Sequence, residues 1–237
     1  MELSELWKIN KHFRWGEADI TSHIVKKLEI GANIDELQNK YDEVSGSITD
    51  NYTFLMYACH YQYYHLVKVL LKYGADPNIQ NRDGETALVR ALRGGNTGLK
   101  TFDIVRMLLK KGADPNIKMY EGDTPLLVTF YRLGYHFPFN PPQVTKLLLD
   151  SGANPNVQTR YGNTPLMLAG INKCESLIIS LLEAGADPHV KNSEGKCFLD
   201  DSICKELYQQ FFQNKNKRNL QGDEKEDSDA KKQKKWF

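Results

Sequence analysis

The phrase YGADPNI at residues 73–79 returns as KGADPNI at 111–117, as SGANPNV at 151–157 and as AGADPHV at 184–190. A worn copy, IGANIDE, precedes them at 30–36. Each of the four clear copies follows an apolar run with helical spacing: LVKVLLK (66–72), IVRMLLK (104–110), VTKLLLD (144–150) and LIISLLE (177–183). Recurrence in register marks a chain of stacked units, because one unit of this size cannot bury its own apolar faces.

A second signature stands seven residues beyond the last aliphatic of each phrase. It reads TAL at 86–88, TPL at 124–126 and TPL at 164–166; in the last unit the slot holds Cys197, Phe198 and Leu199. Thr86, Thr124 and Thr164 are residues of the kind that cap a helix start by accepting a backbone N–H. Pro125 and Pro165 fall at the first helical position, where the missing N–H costs nothing. Gly74, Gly112, Gly152 and Gly185 sit just past the second helix, where a left-handed cap is wanted. Asp-Pro or Asn-Pro then turns the chain. One unit is therefore predicted to be a short helix, an antiparallel second helix and a projecting hairpin.

The G-A-D-P-N and D-G-x-T-P-L phrases resemble ankyrin repeats, over roughly residues 50–200 with a degenerate cap on each side. The resemblance implies an all-α solenoid of stacked helix-turn-helix units with projecting hairpin loops. It also implies a protein-binding, seldom catalytic, role. The expected organisation is one domain over 1–212: an N-terminal cap and long loop at 1–49, repeats at 50–195 and a C-terminal cap at 196–212. A charged, disordered tail at 213–237 follows.

Breaks in the period carry the individual information. The spacing from cap threonine to glycine is 21 residues for Thr53–Gly74 and Thr164–Gly185, but 26 for Thr86–Gly112 and 28 for Thr124–Gly152. Two adjacent units thus hold extra residues between their helices, at 94–101 and at 132–142, the latter reading RLGYHFPFNPP. Neighbouring inserts should form one ridge, with hairpin tips along the opposite edge. Pro141 and Pro142 suit the entry to a second helix that restarts near Val144. Residues 36–50 read as a polar, turn-rich loop.

Ankyrin-type modules recognise partners with hairpin tips and exposed inner-helix residues. Carried onto this sequence, those positions are Asp50, Tyr52, His60 and Tyr61 in the first unit, and Arg82, Asp83, Glu85 and Arg93 in the second. They are Tyr120, Glu121, Asp123, Tyr131 and Arg132 in the third, and Arg160, Tyr161, Asn163 and Ile171 in the fourth. Tyr135, Phe137 and Phe139 of the insert either seal an edge or join the binding surface. Tyr and Arg are enriched at interface hot spots. Arg90 fills a slot that the family usually gives to an aliphatic residue, and is expected to snorkel.

The rest of the composition narrows the class. The chain carries 31 Lys plus Arg against 30 Asp plus Glu, so no nucleic-acid or anionic-membrane partner is expected. No apolar stretch is long enough for a membrane span. Four cysteines (Cys59, Cys174, Cys197, Cys204) lack metal-type or CxxC spacing and are expected to be buried free thiols in a reducing, cytoplasmic compartment. His60 and His65 near Cys59 lack a fourth ligand, so no metal or other cofactor is expected. GGNTGLKT (94–101) misses the spacing of a phosphate loop, and no catalytic motif appears. Asp200 and Asp201 are expected to be solvated. Lys217-Arg218 followed by KKQKK (231–235) resembles a bipartite nuclear import signal, which matters in a eukaryotic or host cell. Trp236 and Phe237 are out of place in a purely solvating tail and suggest docking. The expectation is a non-enzymatic, monomeric binder of a partner protein. An inhibitor such as an immunity protein or antitoxin, or a host-directed effector or adaptor, stands as the alternative.

Overall fold

A computed structural model describes residues 16–35, 38–42, 47–94, 100–131 and 141–214. The elements run α1 (Glu17–Glu29), β1 (Gln38–Asp42), β2 (Ser47–Tyr52), α2 (Phe54–His60) and α3 (Tyr64–Lys72). Then come α4 (Ala87–Arg93), α5 (Thr101–Lys110), α6 (Pro125–Phe130), α7 (Pro141–Asp150), α8 (Pro165–Ile171) and α9 (Glu175–Glu183). A short 3-10 turn (Phe198–Asp200) and a helix over residues 202–214 (α10) complete the described chain.

Two rows of helices result. An inner row, α2, α4, α6, α8 and the 3-10 turn, is formed by the first helix of each unit, each touching the next. An outer row, α1, α3, α5, α7 and α9, stacks in the same order. The inner helices approach closely because a small residue recurs five positions after each cap. Ala58, Ala91 and Ala169 are fully buried there, and the third unit has Thr129. Thr129 satisfies its hydroxyl on the Leu126 carbonyl at 2.7 Å and shares a hydrogen bond with Thr145 at 3.1 Å. The outer helices bury one stripe each, including Leu66, Leu70, Ile104, Leu108, Val144, Leu148, Leu177 and Leu181. Each such leucine contributes about 1.5–3 kcal/mol by leaving water.

The glycine of each phrase has the left-handed backbone that ends a helix, as at Gly74 (φ 89°) and Gly152 (φ 88°). The asparagine four residues after that glycine does more than turn the chain. The Asn78 side chain donates to the Gly112 carbonyl at 2.9 Å and accepts from the Asp114 N–H at 2.8 Å. Asn116 repeats this with Gly152 and Asn154, and Asn156 with Gly185 and Asp187. A continuous asparagine ladder therefore ties each unit to the next. It begins at Asp35, which accepts from the Asp76 N–H at 3.0 Å but, as a carboxylate, has no amide to donate.

Several sequence expectations change. Residues within 36–50 are not merely a loop: β1 and β2 pair antiparallel, Gln38 opposite Tyr52 and Asp42 opposite Ser47, with a bulge between Asn39 and Lys40. Backbone pairing across a short connection needs no hydrophobic alternation, which is why the polar sequence hid it. Thr53, Thr86 and Thr164 cap their helices through the side chain, but Thr124 does not, and its buried hydroxyl lacks a partner. Asp200 and Asp201 are exposed but act as caps, accepting from the Cys197 N–H (2.7 Å) and the Cys204 N–H (3.0 Å). Helix α10 continues through residue 214, just past the expected edge of the tail. Residues 215–237, most of the 132–142 insert and 95–99 lie outside the described residues. The cysteines are free thiols, but only Cys59 and Cys204 are buried; Cys174 and Cys197 are partly exposed, contrary to the expectation that all four are buried.

Candidate functional site

The hairpins that lead into α4, α6, α8 and the 3-10 turn form the edge that the sequence marks for recognition. Three of them are held by a side chain at their base. Asn81 accepts from the Asp83 and Glu85 N–H groups at 3.0 and 2.8 Å. Thr159 and Asn192 do the same for Tyr161 with Asn163, and for Glu194 with Lys196. In the third unit the position is Met119, which cannot accept in this way.

Stacking of the tips follows the same chemistry. The Tyr120 N–H donates to the Asp83 carbonyl at 3.1 Å, and the Ser193 N–H to the Tyr161 carbonyl at 3.0 Å. Gln80 and Gln158 reinforce these joints by donating to the Lys118 and Lys191 carbonyls. Between the third and fourth tips the described residues make no such bond. Lys118 replaces the bridging glutamine there. A methyl placed on Gly84 would lie 2.7 Å from the next tip's backbone, and one on Gly162 at 2.8 Å, whereas one on Gly122 would meet nothing within 4 Å. The tips of units three and four therefore stand apart, while the asparagine ladder beneath them is unbroken.

Among the described residues, the two most exposed aromatic side chains, Tyr120 and Tyr161, flank this gap. Tyr120 is 80 % exposed, Tyr161 60 % and Tyr131 46 %, with Ile171 at 70 % further along the inner row. The Arg160 guanidinium lies 4.7 Å over the Tyr161 ring. Tyr131 donates its hydroxyl to the Asp123 carboxylate at 2.7 Å. Burial, then this hydrogen bond, push its phenol pKa well above the ordinary value, with Arg160 opposing. Glu121 is exposed beside Tyr120, so the surface carries both signs of charge.

A second cluster lies under the first two units. Glu85 is almost fully buried and holds Arg90 at 2.9 Å and also Arg93. Arg90 donates in turn to His60 Nδ1 at 2.9 Å, and its guanidinium lies 4.7 Å from the Tyr52 ring centre. Arg90 thus does not snorkel: with a side chain 15 % exposed it is a partnered internal cation.

The predicted contact residues consequently divide. Glu85 and Asp123 are buried and their carboxylates are used within the fold, which corrects the expectation that they meet a partner. Tyr52, His60 and Arg93 are only partly accessible and belong to the Arg90 cluster. Tyr61 is 46 % exposed and stacks on Tyr63. Arg82, Asp83, Tyr120, Glu121, Arg160 and Tyr161 are exposed at tips, and Tyr131 and Ile171 on the inner row. Asn163 accepts from the Asn192 amide at 2.8 Å and so braces the next tip. The side chain of Asp50, and Arg132, Tyr135, Phe137 and Phe139, lie outside the described residues. Sequence reasoning missed the separation of the third and fourth tips. Its signal is the pair Lys118-Met119 where the flanking units carry Gln-Asn or Gln-Thr.

A family model described as ankyrin repeats in three copies matches residues 18–119 and again 100–192, most of the chain. No curated protein matches the sequence.

Proposed function

Since the chain belongs to the ankyrin-repeat family, whose repeats generally mediate contacts between proteins, we propose that it is a non-catalytic module gripping one partner protein across its third and fourth units. The observation that carries this reading is the concentration of large exposed side chains there: Tyr120, Tyr131, Tyr161 and Ile171, with Arg160 laid over a ring. Tyr and Arg of this kind give large buried area with polar handles and dominate binding energy where they cluster. The asparagine ladder ties the hairpin stems of these units to one another before binding, which lowers the ordering cost. The separated third and fourth tips offer a partner loop a place to enter that the bonded tips on either side do not. Mixed charge at this face favours a partner surface of mixed sign.

The test is capture of a partner from cell extract by the whole chain, followed by affinity measurement with Tyr120→Ala and Tyr161→Ala together. Loss of about 2 kcal/mol or more, roughly thirtyfold in Kd, is expected for a pair of such anchors. Unchanged affinity in the folded variant would remove this surface from the binding site.

A further inference from the structure

At the far end of the solenoid, α9 and α10 enclose an open groove of about 330 Å³. Its floor is apolar, made by Ile179, Leu207 and Phe211, and its rim carries Glu175 and Glu183, one at each end of α9. Asn214, the last described residue, also lines it. Ile179 is 39 % exposed, and Ile203 and Phe212 on α10 are 52 % and 42 % exposed. A terminal unit of a solenoid ordinarily presents a polar outer face, since no further unit covers it. This one does not.

We propose that the groove is the seat of this chain's own segment KKQKKWF (231–237), with Trp236 and Phe237 on the apolar floor and the lysines against Glu175 and Glu183. Three observations select this occupant. Asn214, the residue from which the 215–237 segment continues, lines the groove. The 22 residues from Asn214 to Trp236 can extend to roughly 70 Å, whereas α9, at nine residues, is about 13 Å long. Reach is therefore ample, and tethering gives the segment a high local concentration. Charge is complementary: α9 (ESLIISLLE) has two glutamates and no basic residue, while 231–235 has four lysines. The aromatic pair supplies the two side chains of the 215–237 segment best suited to cover an apolar floor, since each ring buries about 150–250 Å². A second copy of the chain fits worse, because a two-fold contact on this face would bring four glutamates together. Docking of this kind would also withhold the basic cluster from any receptor that reads it.

The test uses the full chain with Trp7→Phe and Trp15→Phe, which leaves Trp236 as its single indole. Acrylamide quenching of Trp236 is expected to fall to about half or less of that in a synthetic 215–237 peptide, as for a ring moved out of water. Ile179→Asp, at an exposed position, should return it to the peptide value, and Glu175→Lys with Glu183→Lys should do so in part. Protection should not depend on protein concentration. Should the tryptophan replacements disturb folding, tryptic cleavage after Lys231–Lys235 in the unaltered chain gives the same reading: slow, and accelerated by either groove variant. Quenching or cleavage as fast as in the free peptide, protection that survives Ile179→Asp, or protection that appears only at high concentration would each overturn the proposal.

Discussion

Replacing Glu85 by alanine tests the internal cation cluster. Glu85 is 2 % exposed and receives Arg90 at 2.9 Å, Arg93, and the Asn81 amide at 3.3 Å. Removing one partner of a buried ion pair costs about 3–5 kcal/mol, because the other charge is left without compensation. Two features reduce that here. The Arg93 side chain is 38 % exposed and can rehydrate, and Arg90 keeps the His60 nitrogen and the Tyr52 ring. The expected loss is therefore about 2–3 kcal/mol. For a domain of this size that lowers Tm by roughly 5–10 °C. The double variant Glu85→Leu with Arg90→Leu removes both charges and restores an aliphatic residue at position 90. It should lie within about 1 kcal/mol of the parent, because replacing a buried pair by apolar residues is often neutral or better. Urea denaturation followed by circular dichroism reads both. A single variant within about 0.5 kcal/mol of the parent, or a double variant no more stable than the single, would refute the view that Arg90 is held as an internal cation.

Two other outcomes follow from the ladder and the tyrosine. Asp35→Asn supplies the missing donor at the first rung, and a gain of about 0.5–1 kcal/mol is expected in a thermal melt. Burial raises the Asp35 carboxyl pKa, so its ionisation opposes folding above the ordinary carboxylate range; the gain should be larger at pH 7 than below about pH 4. For Tyr131 the folded phenol pKa is raised, so the unfolded chain releases its proton first as pH climbs through about 10. Stability present below that pH is lost above it, and Tyr131→Phe should flatten the alkaline limb of a Tm-against-pH curve.

Much of this was legible in the sequence. The recurring GADPN phrase placed Gly74, Gly112, Gly152 and Gly185 at left-handed helix ends, and Thr53, Thr86 and Thr164 act as caps. These are local features, determined by backbone chemistry within a few residues. What stayed hidden depends on partners distant in the chain. Asn78 reads as a turn residue until Gly112 and Asp114 are brought beside it. Glu85 and Asp123 occupy the same hairpins as the exposed Arg82 and Tyr120, and only packing shows that their carboxylates serve Arg90 and Tyr131. Thr124 carries the cap signature, yet its hydroxyl makes no bond, although α6 is still entered through Pro125. The polar hairpin of β1 and β2 has no hydrophobic period to reveal it.

The most direct measurement is amide hydrogen exchange of the whole chain with and without its captured partner. Binding across the third and fourth units should slow exchange at residues 119–131 and 159–171, above all at the separated tips, while α3 and α5 on the outer row change little. Protection confined to the outer row or to the first two hairpins, with the Tyr120 and Tyr161 tips unaffected, would contradict the account.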